Sequence, residues 1–101
     1  MVKALRYLGL AKRAGCLVSG TNTSAINMNR HKVSLVILPE DISENGRKKI
    51  MKTIRQTQTP YVIYGASEEL SRAAGSSGRS VFAVTDRHFA EIILQEIERE
   101  K

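Results

Sequence analysis

Three short apolar runs constrain the fold of this chain more than any other feature: "SLVIL" at 34–38, "YVIYG" at 61–65 and "SVFAV" at 80–84. Each is rich in β-branched or aromatic residues and bounded by turn or cap signals, so each reads as a buried strand. The intervening segments have the helical period instead. "SENGRKKIMKTIRQ" (43–56) sets Ile50, Met51 and Ile54 on one side and Arg47, Lys48, Lys52 and Arg55 elsewhere. "SEELSRAA" (67–74) opens on Ser67, a candidate cap, with Glu68 and Glu69 suited to the positive end of a helix. Beyond the third run, Thr85 or Asp86 is expected to cap "RHFAEIILQEIEREK", whose Phe89, Ile92, Ile93 and Ile97 fall at helical spacing.

The first third of the chain adds a helix over about residues 3–14, ended by Gly15 where a left-handed cap is wanted. A brief extended segment, "CLVSG" (16–20), leads into a second helix from about Thr21 to Arg30. The resulting order, αβαβαβαβα, predicts a sheet covered by helices on both faces, a three-layer α/β/α sandwich. Spacing does not set the strand order, and both a parallel and a mixed sheet are admissible.

With 101 residues, one domain spanning 1–101 is expected, able to bury roughly two-thirds of its unfolded surface. No run approaches the ~20 apolar residues of a membrane span, and the first fifteen residues are too charged for a signal peptide, so a cytoplasmic protein is expected. Cys16 is the only cysteine, which excludes an intramolecular disulfide and any cysteine-rich metal site; it reads as a small buried hydrophobe. His31 and His88 stand apart from it and from each other, without metal-ligand spacing. Neither a P-loop nor a dinucleotide fingerprint occurs, and no cofactor is expected. Glu40 and Asp41 follow the first apolar run, a place where carboxylates can be catalytic, but with Ser43 they read first as helix caps. No set of acid, base and nucleophile is assembled, and a nonenzymatic protein is expected.

The formal net charge is +6, and its placement is informative. Residues 1–39 hold Lys3, Arg6, Lys12, Arg13, Arg30 and Lys32 and no carboxylate, whereas residues 40–101 hold ten basic and ten acidic side chains. Such an excess serves solubility in any protein, and it also attracts polyanions, of which nucleic acid is the commonest.

Two polar stretches are candidate sites. "SGTNTS" (19–24) sets a helix start directly after an extended segment: Gly20 permits close approach, Thr21 can cap, and Asn22 offers both a donor and an acceptor. "RAAGSSGRS" (72–80) is a glycine-rich loop between a helix and a strand, flanked by Arg72 and Arg79. In a sandwich of this kind, loops at one end of the sheet can converge, which would bring the two stretches onto one surface.

Taken together, "LGLAKRAGCLVSGTNTSAINMNRHKVSLVILPED", "TPYVIYGASEELSRAAG" and "SVFAVTD" resemble the bacterial YlxQ-like branch of the ribosomal-protein superfamily that includes large-subunit proteins seven-Ae and thirty-e. The resemblance spans nearly the whole chain. It implies a small mixed four-stranded sheet in the sandwich and a structured RNA partner, ribosomal or another kink-turn RNA, together with the ribosome or ribosome-associated proteins. In that superfamily the helix opening on a G-T-N-like segment enters the widened groove of a kink-turn beside sheared G·A pairs, and the loop matching "AAGSSGRS" holds an extruded nucleotide. Carried over by position, this implicates Gly20, Thr21, Asn22 and Thr23 in direct contact, Arg30 and Lys32 as groove or phosphate contacts, and Ser76, Ser77, Gly78 and Arg79 in the loop. Thr23 and Ile26 stand where archaeal members carry a glutamate and a lysine, and "SSGR" replaces apolar loop residues.

The expectation is therefore a monomeric RNA-binding protein. The alternatives are a protein-interaction module on a ribosome-associated factor, with Ile26 in its contact patch, and a small enzyme or sensor that holds an anion at the Gly20 helix start.

Overall fold

The computed structural model describes residues 3–75 and 81–100. Its elements are α1 (Lys3–Arg13), β1 (Leu17–Ser19), α2 (Thr21–Asn29), β2 (Leu35–Leu38), α3 (Glu44–Thr57), β3 (Tyr61–Ile63), α4 (Ser67–Ala73), β4 (Phe82–Val84) and α5 (Arg87–Arg99). The alternation is the one predicted, and the sheet is mixed. Its order is β1-β4-β2-β3, with β4 antiparallel to both of its neighbours and β2 parallel to β3.

Strand alternation divides the core into two layers. Leu35 and Ile37 of β2, Phe82 and Val84 of β4 and Leu17 of β1 face one side, where they pack with Leu8 of α1, Leu70 of α4 and Ile93 and Ile97 of α5. Val36 and Leu38 of β2, with Val81, face the other and meet Met28 of α2 and Ile50 and Ile54 of α3. This is the three-layer α/β/α sandwich, with α1, α4 and α5 on one face and α2 and α3 on the other. Cys16 is half-buried against the first layer.

One strand departs from expectation. Its composition predicts a buried β3, but Tyr61 and Ile63 are 45% and 46% exposed. The reason is position: β3 is an edge strand, paired only with β2, and the helical layers do not extend over its outer residues.

The helix ends explain the chain's turns. At the end of α1, the Cys16 N–H donates to the Ala11 carbonyl at 2.8 Å and the Gly15 N–H to that of Lys12 at 3.1 Å, with Gly15 at φ 75°. This is a Schellman closure, and its left-handed residue is the expected glycine. Ser43 caps α3 by accepting from the Gly46 N–H at 3.1 Å, and Asp86 caps α5 by accepting from the Phe89 N–H at 3.1 Å. At the far end of α5, the Tyr64 hydroxyl donates to the Glu100 carboxylate at 2.8 Å. Burial pushes the Tyr64 phenol above its ordinary pKa, and the Glu100 partner adds to the effect.

Helix α4 is capped from a distance. Ser67 is its first helical residue rather than its cap, and both the Ser67 N–H (2.8 Å) and the Ser67 hydroxyl (2.9 Å) donate to Asp41 Oδ1. Asp41 is carried there because β2 and β3 stay zipped beyond their ends: the Tyr64 N–H donates to the Leu38 carbonyl and the Glu40 N–H to that of Gly65. Its carboxylate therefore caps a helix 26 residues further on. The Ser67 backbone and side-chain hydrogen bonds hold its pKa below the ordinary value of 3.8. The folded value being the lower one, this stabilisation is complete above the unfolded pKa and fades as pH falls through the folded one. In thermal unfolding of wild type and Asp41→Ala between about pH 6 and pH 2, we expect wild type to melt higher at the neutral end and the two curves to converge in acid. A constant gap across the range would remove the carboxylate from this role.

Candidate functional site

The site is built around the junction between β1 and α2. Gly20 sits at φ 99°, ψ 150°, a conformation that residues with a side chain rarely adopt. It is buried, its N–H donates to the Val81 carbonyl at 2.8 Å, and its own carbonyl accepts the first helical bond from the Ser24 N–H at 3.0 Å. The chain therefore turns out of the sheet and into the helix within one residue.

Thr21 does not cap α2. It is the first helical residue, Gly20 is the cap position, and no side chain among the described residues accepts from the first turn. Among the described residues, the initial N–H groups of α2 thus have no side-chain partner at the positive end of the helix dipole. Around them, Asn22 and Thr23 are exposed, Thr21 is half-buried, and Ser24 and Met28 point into the core. Asn22, Ile26 and Arg30 follow at i, i+4 and i+8 along the outer face, with Ile26 52% exposed. No charged residue occurs within the helix itself.

Arg30 and Lys32 lie at the opposite end of α2. The Lys32 N–H donates to the Asn27 carbonyl and the His31 N–H to that of Met28, both at 3.0 Å, with His31 left-handed at φ 56°. This Schellman closure fixes two exposed cations about 13 Å from Thr21, given nine helical residues at about 1.5 Å each. They share the outer surface of α2 with Asn22 but do not converge on it.

The residues that do converge on Asn22 come from α3. Thr21 and Asn22 line an open groove of about 620 Å³ together with Ser43, Asn45, Gly46, Lys48 and Lys49. Asn45, Lys48 and Lys49 fall at i, i+3 and i+4, so one face of the α3 start carries all three. The sequence signalled a polar face here but not its neighbour. Lys48 lies 3.9 Å from Glu44 across solvent, a weak pairing, and Lys49 makes no ion pair among the described residues. Among the described residues, no carboxylate lines the groove.

Ser76, Ser77, Gly78 and Arg79 fall outside the described residues. Val81, the first described residue after them, is the acceptor for the Gly20 N–H. Among the described residues there is no cluster of three or more His, Cys, Asp or Glu side chains able to hold a metal ion, and no helix is long and apolar enough to cross a membrane.

The sequence profile of the ribosomal protein L7Ae/L30e/S12e/Gadd45 family matches residues 3–94, nearly the whole of this architecture. The chain belongs to that family. It is similar to the RNA-binding protein YlxQ of Bacillus subtilis (strain 168), with 36% identity over 87 residues that cover 86% of this chain and 87% of that one. The RNA-binding protein YlxQ of Enterococcus faecium is 30% identical over 89 residues, covering 88% of this chain and 85% of its own length. Among solved structures, a Bacillus halodurans protein of unknown function superposes with a TM-score of 0.90 at 32% identity, covering 97% of this chain and 99% of that one. The Giardia lamblia 15.5kD RNA binding protein superposes with a TM-score of 0.74 at 19% identity, over 94% of this chain and 82% of that one, a likeness of fold.

The backbone at Gly20 makes this junction sensitive to a single methyl. Gly20→Ala is expected to lower unfolding stability by about 1–3 kcal/mol, the cost of holding a side-chain-bearing residue in a region reserved for glycine. Chemical denaturation would measure it, and a change below about 0.5 kcal/mol would contradict the assigned conformation.

Proposed function

We propose that this chain is a nonenzymatic RNA-binding domain that recognises kink-turn-like structured RNA, ribosomal or ribosome-associated, as a monomer in the cytoplasm. The observation that carries this reading is the start of α2, uncapped by any side chain among the described residues, opening onto the same groove as Lys48 and Lys49. Free backbone donors suit a phosphate or a base-edge acceptor, and the Asn22 amide can donate and accept at once. The two lysines supply positive charge beside them. Membership of the L7Ae/L30e/S12e/Gadd45 family and similarity to proteins called RNA-binding protein YlxQ support the same partner.

In this picture α2 is inserted into an opened RNA groove and reads exposed edges by shape and hydrogen bonding, as structured RNA requires. Gly20 to Thr23 form the reading end. Arg30 and Lys32 contact phosphates at the far end of the helix, and the loop containing Ser76, Ser77, Gly78 and Arg79 closes on an extruded nucleotide. Thr23 and Ile26 leave α2 without its own charge, and Lys48 and Lys49 compensate from the neighbouring helix.

Titrations against a kink-turn duplex and a control with Watson–Crick pairs in place of the G·A pairs test the assignment. Asn22→Ala is expected to weaken kink-turn binding by about 1–3 kcal/mol, the value of a bidentate amide contact, while leaving control binding nearly unchanged. Lys48→Gln with Lys49→Gln, like Arg30→Ala, is expected to weaken both RNAs and flatten the salt dependence by about one unit of slope per lost contact. Equal losses on both RNAs in the Asn22 variant would refute its reading role.

Ile26 favours a second use of the same helix, docking on a ribosome-associated protein, because a large aliphatic side chain 52% exposed at mid-helix suits an apolar contact. Ile26→Lys separates the two. If the outer face of α2 lies in an RNA groove, the added cation should tighten RNA binding several-fold at low salt; unchanged RNA affinity would favour the protein contact.

A further inference from the structure

We propose that the cleft between α1 and the C-terminal half of α4 is a second RNA-backbone site that extends the footprint beyond the α2 groove; this rests on the RNA-binding reading above. The cleft has a volume of about 530 Å³ and is lined by Arg6, Lys12, Arg13 and Arg72 around a floor that includes Gly9 and Ala73. The two helices cross closely here: a Cβ on Gly9 would stand only 3.0 Å from the Ala73 carbonyl oxygen. The missing side chain is what permits this approach of the two helices.

Charge in the cleft exceeds what the helices need for themselves. Lys12 and Arg13 occupy the last turn of α1 and Arg72 that of α4, where cations offset the negative end of the dipole. Arg6 lies seven residues before Arg13, beyond the reach of that effect, yet lines the same cleft. Arg72 is paired with Glu68 at 3.0 Å, but Arg6, Lys12 and Arg13 make no ion pair among the described residues, and no carboxylate lines the cleft. Leu10, 41% exposed, stands among them. Cations flanking one apolar side chain suit a ligand with phosphates and sugars rather than a small inorganic anion.

The cleft is also tied to the α2 groove by the chain. Gly75 is in its lining, and Val81, six residues on, accepts from the Gly20 N–H. Six Cα steps cannot span more than about 22 Å, so the two sites lie within reach of one continuous RNA backbone.

Salt titrations on two kink-turn RNAs test this, one with long flanking stems and one trimmed to the core, alongside a long control duplex without G·A pairs. Arg6→Gln/Arg13→Gln is compared with Arg87→Gln/Arg99→Gln, which makes the same change in net charge on α5. The first variant should flatten the log affinity against log salt slope on the long kink-turn RNA by about 1.4–1.8, at about 0.7–0.9 per phosphate, and should match wild type on the trimmed RNA. The α5 variant should match wild type on both. Equal slopes for the two variants on the long RNA would overturn the cleft site and leave its cations to an acidic protein surface. Wild-type protein without preference for the kink-turn would overturn the kink-turn reading alone, the cleft then being judged by the same slope comparison on the control duplex. Binding to none of the RNAs would overturn both.

Discussion

The bond from the Gly20 N–H to the Val81 carbonyl, 2.8 Å long, is the contact on which the candidate surface depends. It joins the end of an edge strand, the start of a helix and the entry to a central strand. Gly20 makes it by adopting φ 99°, which rotates the chain out of the sheet without a connecting loop. The first turn of α2 is thereby set directly against the sheet end, with its N–H groups uncapped by any side chain among the described residues. An ordinary serine or threonine cap would have satisfied one of those donors internally. Their availability is a consequence of glycine, rather than a hydroxyl, occupying the cap position.

Charge follows a division of labour between helices. α2 presents neutral side chains throughout and reserves its cations for the turn after it, where the Schellman closure holds Arg30 and Lys32. α3 carries Lys48 and Lys49 to the α2 start. Under the proposed RNA-binding reading, neutral amides and hydroxyls in the centre would discriminate by hydrogen-bond geometry, and peripheral cations would add attraction that is indifferent to sequence. Separating the two makes selectivity and salt dependence separable properties of the surface.

Much of the fold was legible because its signals are local. β2 and β4 announce themselves as apolar runs, Gly15 ends α1 as a left-handed residue, and Asp86 caps α5 as expected. Legibility stopped where long-range geometry decides. Ser67 has the composition of a cap, yet Asp41, 26 residues earlier, performs that role because the β2–β3 pairing carries it there. Thr21 has the same composition and is displaced by the unusual backbone of Gly20. The "YVIYG" run looks buried by content, but strand order makes it an edge, and strand order is invisible to periodicity. The candidate site divides in the same way: Gly20 to Thr23 could be picked out from a polar run at a helix start, whereas Asn45, Lys48 and Lys49 join them only through the packing of α2 on α3.

The sheet gives this arrangement its reach. α2 and α3 cover one face and α1, α4 and α5 the other, so cations on α1 and α3 would ordinarily serve opposite sides of the molecule. Gly75 lines the α1 cleft, and Val81, six residues on, stands beside the α2 start as the acceptor of the Gly20 N–H. An RNA bound as proposed, following this end of the sheet, would meet the cations of the α1 cleft and those of α3 as well as the hydrogen-bonding groups of Gly20 to Thr23. The carboxylate-free first 39 residues supply α1, β1 and α2. The acidic residues begin at Glu40, after β2 has passed through the sheet. The charge asymmetry of the sequence thus reappears in the fold: the carboxylate-free segment supplies Arg6, Lys12 and Arg13 to the α1 cleft and the Gly20 turn to the α2 start.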